Sequence, residues 1–176
     1  NVTFWVPDSL IEFLDEHNTR GTTWNNVARW TRVIRSVYNG STTDDLLDYD
    51  RHPGIDREAR IAELGRVAVM NLKKTPGTAD SHMPTINQHA ERYGDLLGTQ
   101  FELLDPDVVV ACGVRLTDIH GLKSIEQTER NWLLTTVGSK ARTFIWNYHP
   151  QARGKDRSSF DFMVQACKAA CSQPRH

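Results

Sequence analysis

Cysteine is scarce, with three residues in 176 and no CxxC pair. That excludes a disulfide scaffold and a four-cysteine cluster, and it fits a reducing compartment, so a cytoplasmic location is expected. Long apolar runs are missing too, and no segment approaches the length a membrane span needs. No stretch combines the charged start, apolar middle and small-residue cleavage site of a signal peptide. Neither sign of charge dominates: 21 Lys and Arg face 22 Asp and Glu, for a net charge of -1. There is no internal repeat, low-complexity tract or linker. A nucleophile elbow and a Gly-rich phosphate cradle are both absent, which weakens a small-molecule hydrolase or transferase on a flavodoxin-like sheet. His82, His89 and His120 lack metal-ligand spacing, and Cys167 and Cys171, one helical turn apart, read as small buried residues.

What is present is globular: 39% hydrophobic and 24% charged residues, enough chain for one domain over residues 1–176 with a core of its own. Four short apolar runs, residues 2–6, 66–70, 108–111 and 143–148, alternate with helical patterns. They are apolar on consecutive residues, as strands covered on both faces are. The order predicts a three-layer α/β/α sandwich with a four-stranded parallel sheet. Asp8 or Ser9 would cap a first helix that turns Leu10, Ile11, Phe13 and Leu14 inward. Further helices are expected over 24–37, ended by Asn39-Gly40, over 56–64, stopped by Gly65, from Pro84 to about Leu104, between the third and fourth strands, and from about Ser158.

Each run ends in residues capable of chemistry: Pro7-Asp8-Ser9, then Asn71-Leu72-Lys73-Lys74, then Cys112-Gly113, and last His149-Pro150-Gln151. In an open parallel sheet, ligands bind beyond the carboxyl ends of the strands. Charge is regional: Asp8, Glu12, Asp15 and Glu16 crowd the start, and Asp44, Asp45, Asp48 and Asp50 form a second acidic cluster. Lys140, Arg142, Arg153, Lys155 and Arg157 gather around His149, opposed there by Asp156. A local basic surface is what phosphate binding needs.

Taken together, these segments resemble the uracil-DNA glycosylase superfamily over most of the chain. Phe4-Trp5-Val6-Pro7-Asp8-Ser9 is similar to its first motif, Gly21-Thr22-Thr23-Trp24 to the segment carrying a base-stacking aromatic, and residues 67–76 with Asn71 to its second strand. Residues 104–113 resemble the third strand with its Pro-Asp lead-in and closing Gly, and His149-Pro150 the His-Pro of the last motif. The resemblance implies a sheet ordered 2-1-3-4 and a monofunctional enzyme, probing DNA as a monomer without metal or cofactor. Three features depart from the family. The usual Gly and Pro pattern around the first carboxylate is missing, the iron–sulfur cysteines are absent, and His149-Pro150 runs on into Gln151-Ala152-Arg153 instead of Ser and an apolar wedge.

A glycosylase extrudes its target nucleotide and cuts the bond from base to sugar, leaving positive charge on the sugar and negative charge on the base. Asp8 would orient the attacking water and stabilise the cationic sugar; as a helix N-cap it fits equally well. His149 would donate to the pyrimidine O2, a contribution of about 3–4 kcal/mol for one preorganised donor. Asn71 offers both an acceptor and donors to a pyrimidine edge, though an Asn also turns a chain at a strand end. Trp24 would stack on the base or else belong to the core, and Ser9, Lys73 and Lys74 would line the pocket. Lys140, Gln151, Arg153, Lys155 and Arg157 would contact DNA, with Gln151 or Arg153 filling the gap left by the flipped base.

The expected substrate follows from room beside the ring. No aromatic gate follows Asp8, and Gly77, Thr78, Ala79 and Ser81 are small. A C5-modified cytosine, hydroxymethylated or glucosylated as in some phage genomes, is the favoured base, with antiviral defence as its setting. Ordinary uracil repair and a catalytically silent nucleic-acid or nucleotide binder remain the alternatives.

Overall fold

The computed structural model of the chain describes residues 21–40, 47–50, 55–72, 82–152 and 154–173. Its elements are α1 (Gly21–Tyr38), α2 (Arg57–Leu64), α3 (Met83–Arg92), α4 (Gly94–Leu104), β1 (Val108–Cys112), β2 (Trp132–Val137), β3 (Lys140–Asn147) and α5 (Asp156–Cys171). The protein is α/β. The described residues fall in two compact units: those of Val69–Trp146 make a strand unit, and those from Gly21 to Ala68 together with those from Asn147 onward make a helix unit.

In the helix unit, α1 packs against both α2 and α5. Thr23, Asn26, Trp30, Val33 and Val37 recur at spacings of three and four along α1, and all are buried, as one stripe of an amphipathic helix should be. Asp56 caps α2 by accepting from the Ala59 N–H at 2.8 Å, and Gly65 closes that helix. From α5, Phe160, Met163, Val164, Cys167 and Ala170 are buried. Glu63 is 4% exposed and accepts from Arg35 at 3.1 Å with Arg32 at 3.5 Å, which offsets the desolvation of its charge.

The strand unit holds a mixed three-stranded sheet in the order β1-β3-β2. Gly138, with φ of 64°, opens a two-residue turn that pairs β2 and β3 as an antiparallel hairpin, Val137 opposite Lys140 and Trp132 opposite Ile145. Glycine is favoured there because a tight hairpin needs positive φ. Phe144 and Trp146, two residues apart and therefore on one face, join Ala90 of α3, Leu97 and Phe101 of α4, and Ala111 of β1 in one core cluster. The rings of Phe101 and Phe144 stack at 6.5 Å. In β3 the six residues from Arg142 to Asn147 are buried consecutively, so both faces of this strand are covered.

Three sequence expectations need correction. The sheet is mixed, not all parallel, because the Gly138-Ser139 turn folds the chain back between β2 and β3. Residues 66–70 form no strand: Gly65, Arg66 and Val67 close α2 through turn hydrogen bonds to Ile61, Glu63 and Leu64. Beyond them Met70 and Leu72 reach the core cluster singly, without a ladder partner among the described residues. The expected helix after β1 is a chain of turns. Leu116, Ile119, Leu122 and Ile125 are all buried and linked by successive i to i+3 bonds, while Gly113 and Gly121 at positive φ prevent a helix from continuing. The first expected strand and helix, residues 2–6 with Leu10, Ile11, Phe13 and Leu14, lie outside the described residues. The strand order 2-1-3-4 is accordingly not among the described features.

These turns press on α4. A Cβ added at Gly98 would meet the His120 carbonyl oxygen at 2.7 Å and the His120 Cβ at 2.9 Å. Gly98→Ala is therefore expected to destabilise by about 1–3 kcal/mol, the usual range for overpacking. At Gly21 a Cβ meets nothing within 4 Å, so Gly21→Ala serves as the neutral control. Equal urea midpoints for the two variants would show that the 118–120 segment yields freely.

Candidate functional site

The carboxyl end of β3 leads directly into His149. Asn147, the last strand residue, is buried and donates from Nδ2 to the Ser159 carbonyl of α5 at 3.2 Å. Its Oδ1 accepts from the Tyr148 N–H at 2.8 Å. This local pairing takes the chain out of the strand, and Tyr148 and His149 are exposed while Pro150 is buried.

The turn that follows is tightly bonded. The Ala152 N–H donates to the His149 carbonyl at 2.8 Å, and the Gln151 N–H donates to His149 Nδ1 at 3.2 Å. A ring nitrogen that accepts cannot carry the proton, so the neutral imidazole holds its hydrogen on Nε2. Pro150 offers a carbonyl and no N–H. That carbonyl accepts from Asn26 Nδ2 at 2.8 Å, and the same nitrogen donates to Asp156 Oδ1 at 2.8 Å. Lys155 lies over the Tyr148 ring, its ammonium 5.2 Å from the centroid, within reach of a cation–π attraction.

The helix unit thus contains His149, Gln151 and Lys155 on one short loop, with Tyr148 beside them and Asn26 beneath. Trp24 is half-buried in the first turn of α1, two residues before Asn26. Arg157 is engaged with Asp50 at 2.8 Å and with Asp161 at 3.7 Å. Asn71 is exposed in the strand unit. Asp8, Ser9, Lys73, Lys74 and Arg153 lie outside the described residues.

Lys140 opens β3, whereas His149 lies beyond its other end. Its ammonium pairs with Asp107 at 2.9 Å and Asp105 at 3.2 Å, and donates to the Asp105 carbonyl at 2.8 Å. Arg142 is 8% exposed, donates to the Pro106 carbonyl and to Asp105 Oδ1 at 2.8 Å, and sits over the Phe101 ring. The two cations clamp the turn between α4 and β1, in which Asp105 takes a left-handed conformation.

Sequence reasoning passed over Asn26. Its signal was a polar residue in register with Trp30, Val33 and Val37, where a buried amide has to find partners. Burial raises the Cys112 thiol to about 11 and, with Cys171 adding to it, the Cys167 thiol to about 12, so neither is a ready nucleophile. Among the described residues no group of three His, Cys, Asp or Glu side chains is placed to hold a metal ion. No helix among them is long and apolar enough to cross a membrane. Comparisons of the chain with protein-family models, with curated proteins and with solved structures gave no match.

The clamp sets a pH window. Hydrogen bonds from Arg142 and then Lys140 hold the Asp105 carboxyl below its ordinary value of 3.8, so its stabilisation is complete above that value and fades as pH falls through the lowered one. The hydrogen bond to Asp107 raises Lys140 above 10.5, so its contribution persists below that value and fades as pH climbs past the raised one. The clamp's contribution to stability is expected to be flat between these limits and to fall in acid, so that the acid fall is shallower in Asp105→Asn. Parallel acid limbs in urea unfolding of the two proteins would refute the assignment.

Proposed function

We propose that this protein is a monofunctional DNA glycosylase. It flips a modified pyrimidine out of DNA and releases it hydrolytically, leaving an abasic site. The observation that carries the reading is the His149 turn, in which acceptance of the Gln151 N–H at Nδ1 leaves the donor on Nε2. A departing pyrimidine anion needs such a donor at its O2, aimed before the bond breaks.

In the proposed step the bond from C1′ to the base nitrogen breaks with its electron pair leaving on the base. The Nε2–H of His149 donates to the developing charge on O2. A water oxygen bonds to C1′, and the proton that water loses balances the charge of the released base. Asp8, which follows the apolar run 2–6 in the sequence, orients this water and stabilises the cationic sugar. Trp24 stacks on the ring, and Gln151 and Lys155, on the same unit as His149, hold the DNA on the exposed side of the turn. Ser9, Lys73, Lys74 and Arg153 are proposed from the sequence alone as further contacts to base or DNA. No metal or cofactor is required by these steps.

The assay uses duplexes and single strands carrying one lesion each, followed by alkali, which cleaves abasic sites. Wild-type cleavage with loss of about two orders of magnitude or more in single-turnover rate for His149→Ala supports the proposal. Full activity in His149→Ala overturns the role of the turn, and tight binding without any cleavage points to a silent binder.

The favoured base is a C5-modified cytosine, hydroxymethylated or glucosylated, with defence against phage as its setting. Ser9 and Leu10 after Asp8 supply no aromatic gate against a C5 substituent. A roomy pocket does not by itself reject the smaller uracil, so uracil is the informative competitor. Release of the bulky cytosine at a rate at least equal to that of uracil, from otherwise identical strands, is the expected result. Efficient uracil release with no action on the modified cytosine would assign the protein to ordinary uracil repair.

A further inference from the structure

Asn26 is 3% exposed and has every polar atom engaged. Nδ2 donates to the Pro150 carbonyl and to Asp156 Oδ1, both at 2.8 Å, while Oδ1 accepts from Arg29 at 3.1 Å. Two oxygen acceptors on one side and a guanidinium on the other determine which end of the amide is nitrogen. The partners of Nδ2 bracket the loop that begins with His149: one is the residue after the imidazole, the other the first residue of α5. That helix has no side-chain cap of its own, since Lys155 occupies the cap position without a side-chain bond. One buried amide therefore closes the loop at both ends.

We propose that Asn26 is a positioning residue for His149, acting through the Pro150 carbonyl. This rests on the reading that His149 donates to the leaving base. Pro150 fixes its own φ, so once its carbonyl is held the peptide plane between Pro150 and Gln151, which carries the Gln151 N–H, has little freedom to rotate. The Gln151 N–H is then kept against Nδ1, and the Nε2–H tautomer follows. The buried anchor belongs to α1, whose stripe of Trp30, Val33 and Val37 is packed in the helix unit. His149 thus takes its direction from a helix core more than a hundred residues away in sequence.

The test must separate the Pro150 arm from the Asp156 arm. Asp156→Asn keeps an oxygen that accepts from Asn26 and serves as the control for lost charge. The double variant Asn26→Asp with Asp156→Asn restores a side-chain link across the loop, its donor and acceptor reversed, but has no donor for Pro150. Long-range ¹H–¹⁵N spectra of the imidazole report the His149 tautomer and its titration, and thermal melts report folding. Single-turnover base release and duplex binding are measured in parallel.

In the double variant, which leaves the buried Pro150 carbonyl without its donor, the melt is expected to fall by several degrees with the fold retained, and duplex Kd to stay within about threefold. Base release should fall by up to ~100-fold, the scale of an ångström-sized misplacement. The ring nitrogens should lose the wild-type Nε2–H pattern, while Asp156→Asn retains it. An unchanged ring spectrum in a folded double variant overturns the proposal, as does an unchanged rate. If wild-type protein releases no base from any duplex, the glycosylase reading alone falls, and the ring spectra still decide whether Asn26 sets His149. Should the double variant fail to fold, Asn26→Ser is read by the same spectra, since a hydroxyl too short to span to Pro150 predicts the same loss.

Discussion

A polar group taken out of water has to find a partner, and this constraint shapes both units of the protein. In each unit a nearly buried polar side chain ties an irregular segment to a packed element. In the helix unit it is Asn26, bonded to the Pro150 carbonyl and to Asp156. In the strand unit it is Arg142, bonded to the Pro106 carbonyl and to Asp105. A backbone carbonyl next to proline is a natural target, because proline itself contributes an acceptor and no donor. Neither turn is shaped by its own sequence alone; each takes its form from a side chain far away along the chain.

How much of the fold was legible depended on whether periodicity was unambiguous. α1, α2, the helical stretch now divided at Tyr93 into α3 and α4, β1, β3 and α5 all stood where apolar spacing and capping residues indicated. The stretch from Gly113 to Asn131 misled because Leu116, Ile119, Leu122 and Ile125 lie three apart. Successive i to i+3 turns bury that pattern as well as a helix does, and the positive φ of Gly121 separates the two only in three dimensions. β2 (Trp132–Val137) was missed because the sequence reading expected only a helix between the third and fourth strands, although Gly138-Ser139 is a hairpin signal. Residues 66–70 erred in the opposite direction. An apolar run becomes a strand only with a neighbour to complete its ladder, and no sequence window reports that neighbour.

The turn at His149-Pro150 lies just past a strand, as the sequence indicated, while the partners of the residues around it were not legible. Proximity in sequence suggested one basic patch from Lys140 to Arg157, yet a strand separates what it connects. Seven residue steps along β3 extend about 23 Å at the usual rise, so Lys140 serves the turn before β1 and not the turn after β3. Arg157 is likewise engaged, with Asp50 and Asp161. Asn26 was hidden for the converse reason: it occupies the apolar stripe of α1, where attention goes to Trp30 and Val33.

This redistribution of charge bears on how DNA would be held. Of the cations first grouped around His149, Lys140, Arg142 and Arg157 already face carboxylates, while Lys155 lies over Tyr148. With net charge -1 and few uncommitted cations among the described residues near its donor, the protein would release few counterions through those residues on binding. Its affinity would then depend only weakly on salt, by roughly one unit of slope for each phosphate neutralised. Discrimination on the glycosylase reading must therefore come mainly from the flipped base, through stacking and edge contacts, with less from a grip on the backbone. Under that demand the direction of the Nε2–H matters more than the number of lysines, because a misaimed donor is lost in the transition state while a missing phosphate contact weakens every complex alike. The buried amide beneath Pro150 fits such an economy of charge: it commits a neutral side chain, already paid for by the packing of α1, to aiming the one group on which bond cleavage would rest.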